Sequence, residues 1–121
     1  MIDHLGLNVS DLAISRAFYE KALEPLGITV LADYPEFIGL GEGKVPYLWL
    51  AERVPAGQAV HVALHCKQRA VVDAFYEAAL KAGGKDNGPP GLREIYHPTY
   101  YGAFVLDPDG NNIEAVCHKA E

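Results

Sequence analysis

An α+β fold made of two tandem β-α-β-β-β units is what this sequence predicts, and three observations carry it. The chain repeats itself: at an offset of 57 residues, His4–Leu23 lies over His61–Leu80 with nine identities in twenty positions and no gap, including a shared AFYE at 17–20 and 74–77. Within each copy the hydrophobic period changes from strand alternation to a helical stripe. Half of the 121 residues are hydrophobic and only 21% are charged, so burial can offset the entropy lost on ordering. The units are expected at about residues 1–55 and 58–121 of one domain.

Each copy opens on an alternating stretch, His4–Val9 or His61–Cys66. A helix follows, with Ser10 or Asp11 as its cap, Ile14, Ala17, Phe18 and Ala22 as its stripe, and Pro25 and Gly27 near its stop. Its counterpart carries Val71, Phe75, Ala78, Ala79 and Ala82 and ends at Gly83-Gly84. Strands are then predicted at 28–33, 36–41 and 46–51, and again at 93–97, 101–107 and 111–117. Tyr34-Pro35 and Asp107-Pro108-Asp109-Gly110 read as hairpin turns, and Gly88–Gly91 as a mobile loop.

Alternate residues of a strand share a face. Leu5, Leu7 and Val9 therefore face the helix of the first unit while His4, Gly6 and Asn8 face away; Val62, Leu64 and Cys66 likewise oppose His61, Ala63 and His65. Laying Gly43–Trp49 over Gly110–Val116, with ten extra residues in the second unit, makes Tyr47 the repeat partner of Glu114. Glu114 lies within an apolar strand, where an ionised carboxylate needs a neutralising partner. His4, His61 and Glu114 form a two-histidine, one-carboxylate set, the ligand chemistry of a divalent Fe, Mn, Zn or Ni ion with open positions for substrate. His65, His97, His118, Trp49, Tyr96, Tyr100 and Tyr101 are further residues for the cavity wall.

Ten basic against sixteen acidic residues give a net charge of −6 with no dense basic cluster, which argues against electrostatic nucleic-acid binding. No window approaches the length of a membrane span, and the start of the chain has no leader pattern, so a soluble cytoplasmic protein is expected. Cys66 and Cys117 are expected to remain reduced and buried.

IDHLGLNVSD with AFYEKAL, HVALHC with VVDAFYEAAL, and the closing YYGAFVLDPDGNNIEAV together resemble the vicinal oxygen chelate superfamily, which includes glyoxalase I, extradiol dioxygenases, fosfomycin-modifying enzymes and bleomycin-resistance proteins. The resemblance spans essentially the whole chain. It implies paired βαβββ modules whose mixed sheets curl into a cup, with His4, His61 and Glu114 at the metal-ligand positions. Glyoxalase I draws a second carboxylate from the end of its first module, where this chain has Tyr47. The extradiol enzymes carry a supporting tyrosine where this chain has Phe104. Glu52 falls on the other face from Tyr47 and is not expected to replace the missing carboxylate.

The expected function is that of a metal-dependent enzyme acting on a small oxygen-rich organic substrate, the ion stabilising an oxyanion or enolate. Tyr47, His65, Tyr101 and His97 are its candidates for proton transfer or substrate orientation. The alternative is a bleomycin-resistance-type protein that binds a small molecule without turnover. Small two-module chains of this superfamily are commonly homodimers. Two sheets with one helix each leave apolar area for a partner, so a two-fold dimer is expected.

Overall fold

The alternation at residues 5–9 becomes a strand, β1 (Leu5–Val9), in the computed structural model, which describes all 121 residues. It is followed by α1 (Leu12–Ala22), a 3-10 turn (Glu24–Leu26), β2 (Thr29–Asp33), β3 (Phe37–Gly41) and β4 (Leu48–Glu52). The second copy supplies β5 (His61–His65), α2 (Arg69–Lys81), the two-residue strands β6 (Lys85–Asp86) and β7 (Gly91–Leu92), and then β8 (Tyr101–Leu106) and β9 (Asn112–Cys117). One mixed sheet runs β1-β4-β3-β2 and the other β5-β9-β8-β6, with β7 also on β8. In each, the first strand pairs parallel with the last and every other pair is antiparallel.

Asp11 proves to be the α1 cap: its carboxylate accepts the Ile14 N–H at 3.2 Å, while the N–H of Ser10 goes to Asp109. Gly27, at φ 78°, closes the turn that follows. The buried face of α1 is rotated from the expected stripe. Leu12, Ser15, Phe18, Tyr19 and Ala22 are buried, whereas Ile14 is 58% exposed and Ala17 is exposed too. Tyr19 turns inward because its hydroxyl finds a buried acceptor, donating to Asp107 Oδ2 at 2.5 Å. α2 buries Val72, Phe75 and Ala79 against β8 and β9, and α1 and α2 also pack on one another.

The strand expected at 93–97 does not form. Arg93–His97 closes on itself through Tyr96 N–H to Arg93 O at 2.9 Å, leaving Ile95 and Tyr96 exposed. Pro98, lacking an N–H, ends any extension of that segment. The edge is made by β6 and β7 instead, and the Gly88–Gly91 stretch is tied to it: Phe104 N–H donates to Gly88 O at 2.8 Å, and Arg93 Nη2 to Pro89 O at 2.7 Å. No helix is long and apolar enough to cross a membrane.

Cys66 and Cys117 are both buried and unpaired. Burial, and secondarily Cys117, pushes the Cys66 thiol up to about 11. The thiolate is the reactive form, so Ellman's reagent at mildly alkaline pH is expected to label neither cysteine of the native chain, and both after denaturation. Rapid labelling of the native protein would contradict this burial.

Candidate functional site

Both helices lie on the same side of their sheets as Leu7, Val9, Ile113 and Ala115, which leaves the other faces open. Parallel pairing of β5 with β9 sets Ala63 opposite Glu114, and so brings His61, His65 and Glu114 to one open face. Glu114 is 1% exposed although it is an acid. Two side chains hold its carboxylate: His61 Nε2 lies 2.9 Å from Glu114 Oε1, and the Tyr100 hydroxyl donates to Glu114 Oε2. Gly102 makes this possible, since a Cβ there would stand 3.2 Å from both the carboxylate and the Tyr100 ring. Desolvation, then the bond to Glu114, raises the Tyr100 phenol far above its ordinary range, so it stays a donor.

More imidazoles surround this pair. The His118 ring meets the Tyr100 ring edge-on at 5.2 Å and stacks with His65 at 6.1 Å, and His97 approaches His118 at 6.0 Å. His97 Nδ1 accepts the Thr99 N–H at 3.2 Å, which puts the proton of the neutral ring on Nε2.

His4 does not join them within one chain. It lies at the mouth of a separate hollow of about 460 Å³ on the open face of the first sheet, lined by Gly6, Asn8, Phe37, Trp49, Ala51 and Arg53 among others. Its Nδ1 is 2.6 Å from Asp3 Oδ1, an arrangement that fixes the tautomer and leaves the Nε2 lone pair outward.

Tyr47 and His65 share a third space, a cleft of about 600 Å³ between the two halves that also takes in Glu42 and Lys67. The Tyr47 hydroxyl donates to Glu42 Oε1 at 3.0 Å, and burial followed by that bond pushes the phenol up to about 12. Tyr101 points to the helix side, donating to Asp73 Oδ1 at 2.6 Å beneath the Arg69 guanidinium.

Strand register corrects the repeat alignment. Gly6, the counterpart of Ala63, pairs with Trp49, so Trp49 and not Tyr47 occupies the position of Glu114 in the first half. The slip is two residues and therefore keeps the face. Sequence reasoning missed the contribution of Tyr100 to Glu114, which rests on register: Tyr100 shares the face of Gly102 and Phe104, and Phe104 pairs with Glu114.

No three His, Cys, Asp or Glu side chains of one chain are grouped to hold a metal ion. His61 Nε2 and Glu114 Oε1 stand 2.9 Å apart, a hydrogen-bond distance that two ligands of one ion at about 2.0–2.2 Å would also span if their bonds met near a right angle. The His61–Glu114 pair thus lies on the second sheet and the His4 imidazole beside the first.

A duplicated β-α-β-β-β chain with an imidazole–carboxylate pair on an open sheet face defines a narrow class. Residues 1–115 match the Glyoxalase/Bleomycin resistance protein/Dioxygenase superfamily, and the chain belongs to that family, as the vicinal oxygen chelate resemblance implied. It is 33% identical over 135 aligned positions to a lactoylglutathione lyase of Neisseria meningitidis, covering 97% of this chain and 90% of that protein. A crystal structure of a glyoxalase/bleomycin resistance protein from Albidiferax ferrireducens superposes with a TM-score of 0.79 at 26% identity, covering 95% of this chain and 96% of the other. A lactoylglutathione lyase from Agrobacterium tumefaciens, at 18% identity, a TM-score of 0.71 and coverage of 97% and 92%, shares the fold.

Proposed function

We propose that the chain is a metal-dependent enzyme that acts on a small oxygen-rich substrate at a site completed by a second copy. The observation that carries this reading is the buried Glu114 paired with His61 beside an open face. His61 and Glu114 of one chain, with His4 of the other, would hold a divalent ion; a two-fold axis then forms two identical sites from two identical chains. Such an ion supplies Lewis acidity toward vicinal oxygens. Tyr100 holds the Glu114 carboxylate in place, and Asp3 holds His4. His65 lies on the same open face as His61, and His97 approaches it through His118; both could exchange protons with a bound substrate. Tyr47 is the weaker candidate, because its phenol is already donating to Glu42. The unpaired buried cysteines accord with a reducing compartment such as the cytoplasm.

The aromatic lining of the first hollow favours, as a second reading, a bleomycin-resistance-type protein that binds without turnover. Metal analysis of protein purified without chelator, with light scattering, separates the two. The enzyme reading expects a dimer holding a divalent ion; a metal-free monomer at micromolar concentration overturns it.

The relatives' lyase name has a specific limit here. Proton shuttling between adjacent carbons suits a second carboxylate beside the ion, and the residues lining the His4 hollow include no acid, with Trp49 in the position that matches Glu114. Little or no isomerisation of the methylglyoxal–glutathione hemithioacetal is therefore expected, with Ni(II) or Zn(II) supplied. Turnover at about ten per second, typical of working enzymes, and abolished by Glu114→Gln, would show that another group serves as base.

A further inference from the structure

Trp49 is the only tryptophan of the chain. It crosses Gly39, its partner on β3, so closely that a Cβ there would stand 2.9 Å from two ring carbons and 2.8 Å from Pro46 Cβ. Phe37 meets the indole at 5.9 Å between centroids, and Tyr34 stacks on Phe37 at 4.8 Å, so three aromatic rings form a continuous wall. On the β1 side, opposite Trp49 in register, stands Gly6, where an added Cβ would meet nothing within 4 Å. The wall therefore borders open space.

One cation at this recess has no partner within its own chain. Arg53 lines it, yet its guanidinium makes no ion pair and no side-chain hydrogen bond, in a chain of net charge −6. Its neighbour Glu52 is engaged elsewhere, accepting the Leu12 N–H at 2.8 Å. A flat aromatic wall beside an unpaired planar guanidinium suits a ligand that is itself planar and carries a carboxylate.

We infer that the recess of the first sheet binds the aromatic or conjugated part of a planar carboxylate, stacked on Trp49 and Phe37 with its charge on Arg53. This names a substrate class for the His4 face, and so rests on the reading that this face takes the substrate. The metal is not needed for the contact itself. Full-length protein treated with chelator can therefore be titrated with benzoate, benzyl alcohol and cyclohexanecarboxylate, with Trp49 fluorescence and calorimetry as readouts.

Benzoate is expected to bind about tenfold or more tightly than benzyl alcohol, and several-fold more tightly than cyclohexanecarboxylate. Arg53→Gln should remove the preference for the acid over the alcohol. Gly6→Val should sharply weaken binding of both aromatic probes without lowering the melting temperature, because its side chain enters the recess opposite Trp49, where an added Cβ meets nothing within 4 Å. Equal affinity for acid and alcohol, or a Gly6→Val protein that titrates like the parent, overturns the inference. Metal content of the same preparations is measured separately. A protein that loads metal without preferring benzoate sinks this inference alone, and one that prefers benzoate without ever loading metal supports it while sinking the metal reading.

Discussion

Glu114→Gln is expected to lose metal affinity by at least about 100-fold while remaining folded. Removing groups that merely orient a ligand already costs about 10–100-fold, and here the ligand's own charge is removed. Glutamine keeps the volume and both polar contacts, one to His61 and one to Tyr100, so the stability change should remain within about 1.5 kcal/mol, the scale of one ordinary hydrogen bond. Mass-spectrometric metal analysis after loading with Zn(II) or Ni(II), alongside urea denaturation, reads both quantities. A Gln variant that loads metal like the parent would remove Glu114 from the site. Tyr100→Phe gives a graded comparison: the carboxylate stays but loses its donor, and the loss should be smaller.

The largest effect on stability is expected at Asp107. This buried acid accepts four hydrogen bonds: from the Tyr19 hydroxyl, the N–H groups of Asp109 and Asn111, and the Asn111 amide. Asp107→Ala orphans all of these donors at once and should cost about 3–5 kcal/mol, a large part of a typical domain's stability. Tyr19→Phe, which removes one donor cleanly, should cost about 1 kcal/mol. In a double-mutant cycle the two should be strongly non-additive; additive costs would show that the bond contributes nothing.

Alkali tests the same contact. Burial, then Asp107, raises the Tyr19 phenol well above its ordinary range. The unfolded phenol releases its proton near pH 10 while the folded one retains it. The contribution is therefore complete below about pH 10 and is lost as pH climbs toward the folded value. Tyr19→Phe should flatten that alkaline slope in urea titrations.

Much of this architecture is written in the repeat, because equal spacing of His4 and His61 from a common AFYE forces two similar strand–helix openings. The open faces of β1 and β5 follow from parity alone. Other features escaped because they depend on partners distant in sequence. Tyr19 reads as an amphipathic surface residue until Asp107, 88 positions away, turns it inward. The slip between Tyr47 and Trp49 escaped because Gly43 and Gly110 look like equivalent turn residues, although only strand register decides which residue stands across from Gly6. Tyr100 was legible as a wall residue but not as the donor to Glu114, since that contact also requires the absence of a side chain at Gly102. The separation of His4 from His61 and Glu114 was illegible: a list of ligand types carries no information on which sheet, or which copy, presents each one.

Each sheet closes within its own half of the chain, and this shapes how the protein is made. All four strands of the first sheet lie within residues 5–52, so its ladder can zip before the second half leaves the ribosome. What cannot be completed then is the inner face of α1. Phe18 packs within reach of Gly84, where a Cβ would come 2.7 Å from its ring, and Tyr19 waits for Asp107. A nascent first half therefore displays an apolar helix face with a donor-bearing tyrosine, satisfied only when the turn between β8 and β9 arrives. Fragments ending near residue 55 should on these grounds be sticky, and a separately made second half should rescue them in trans.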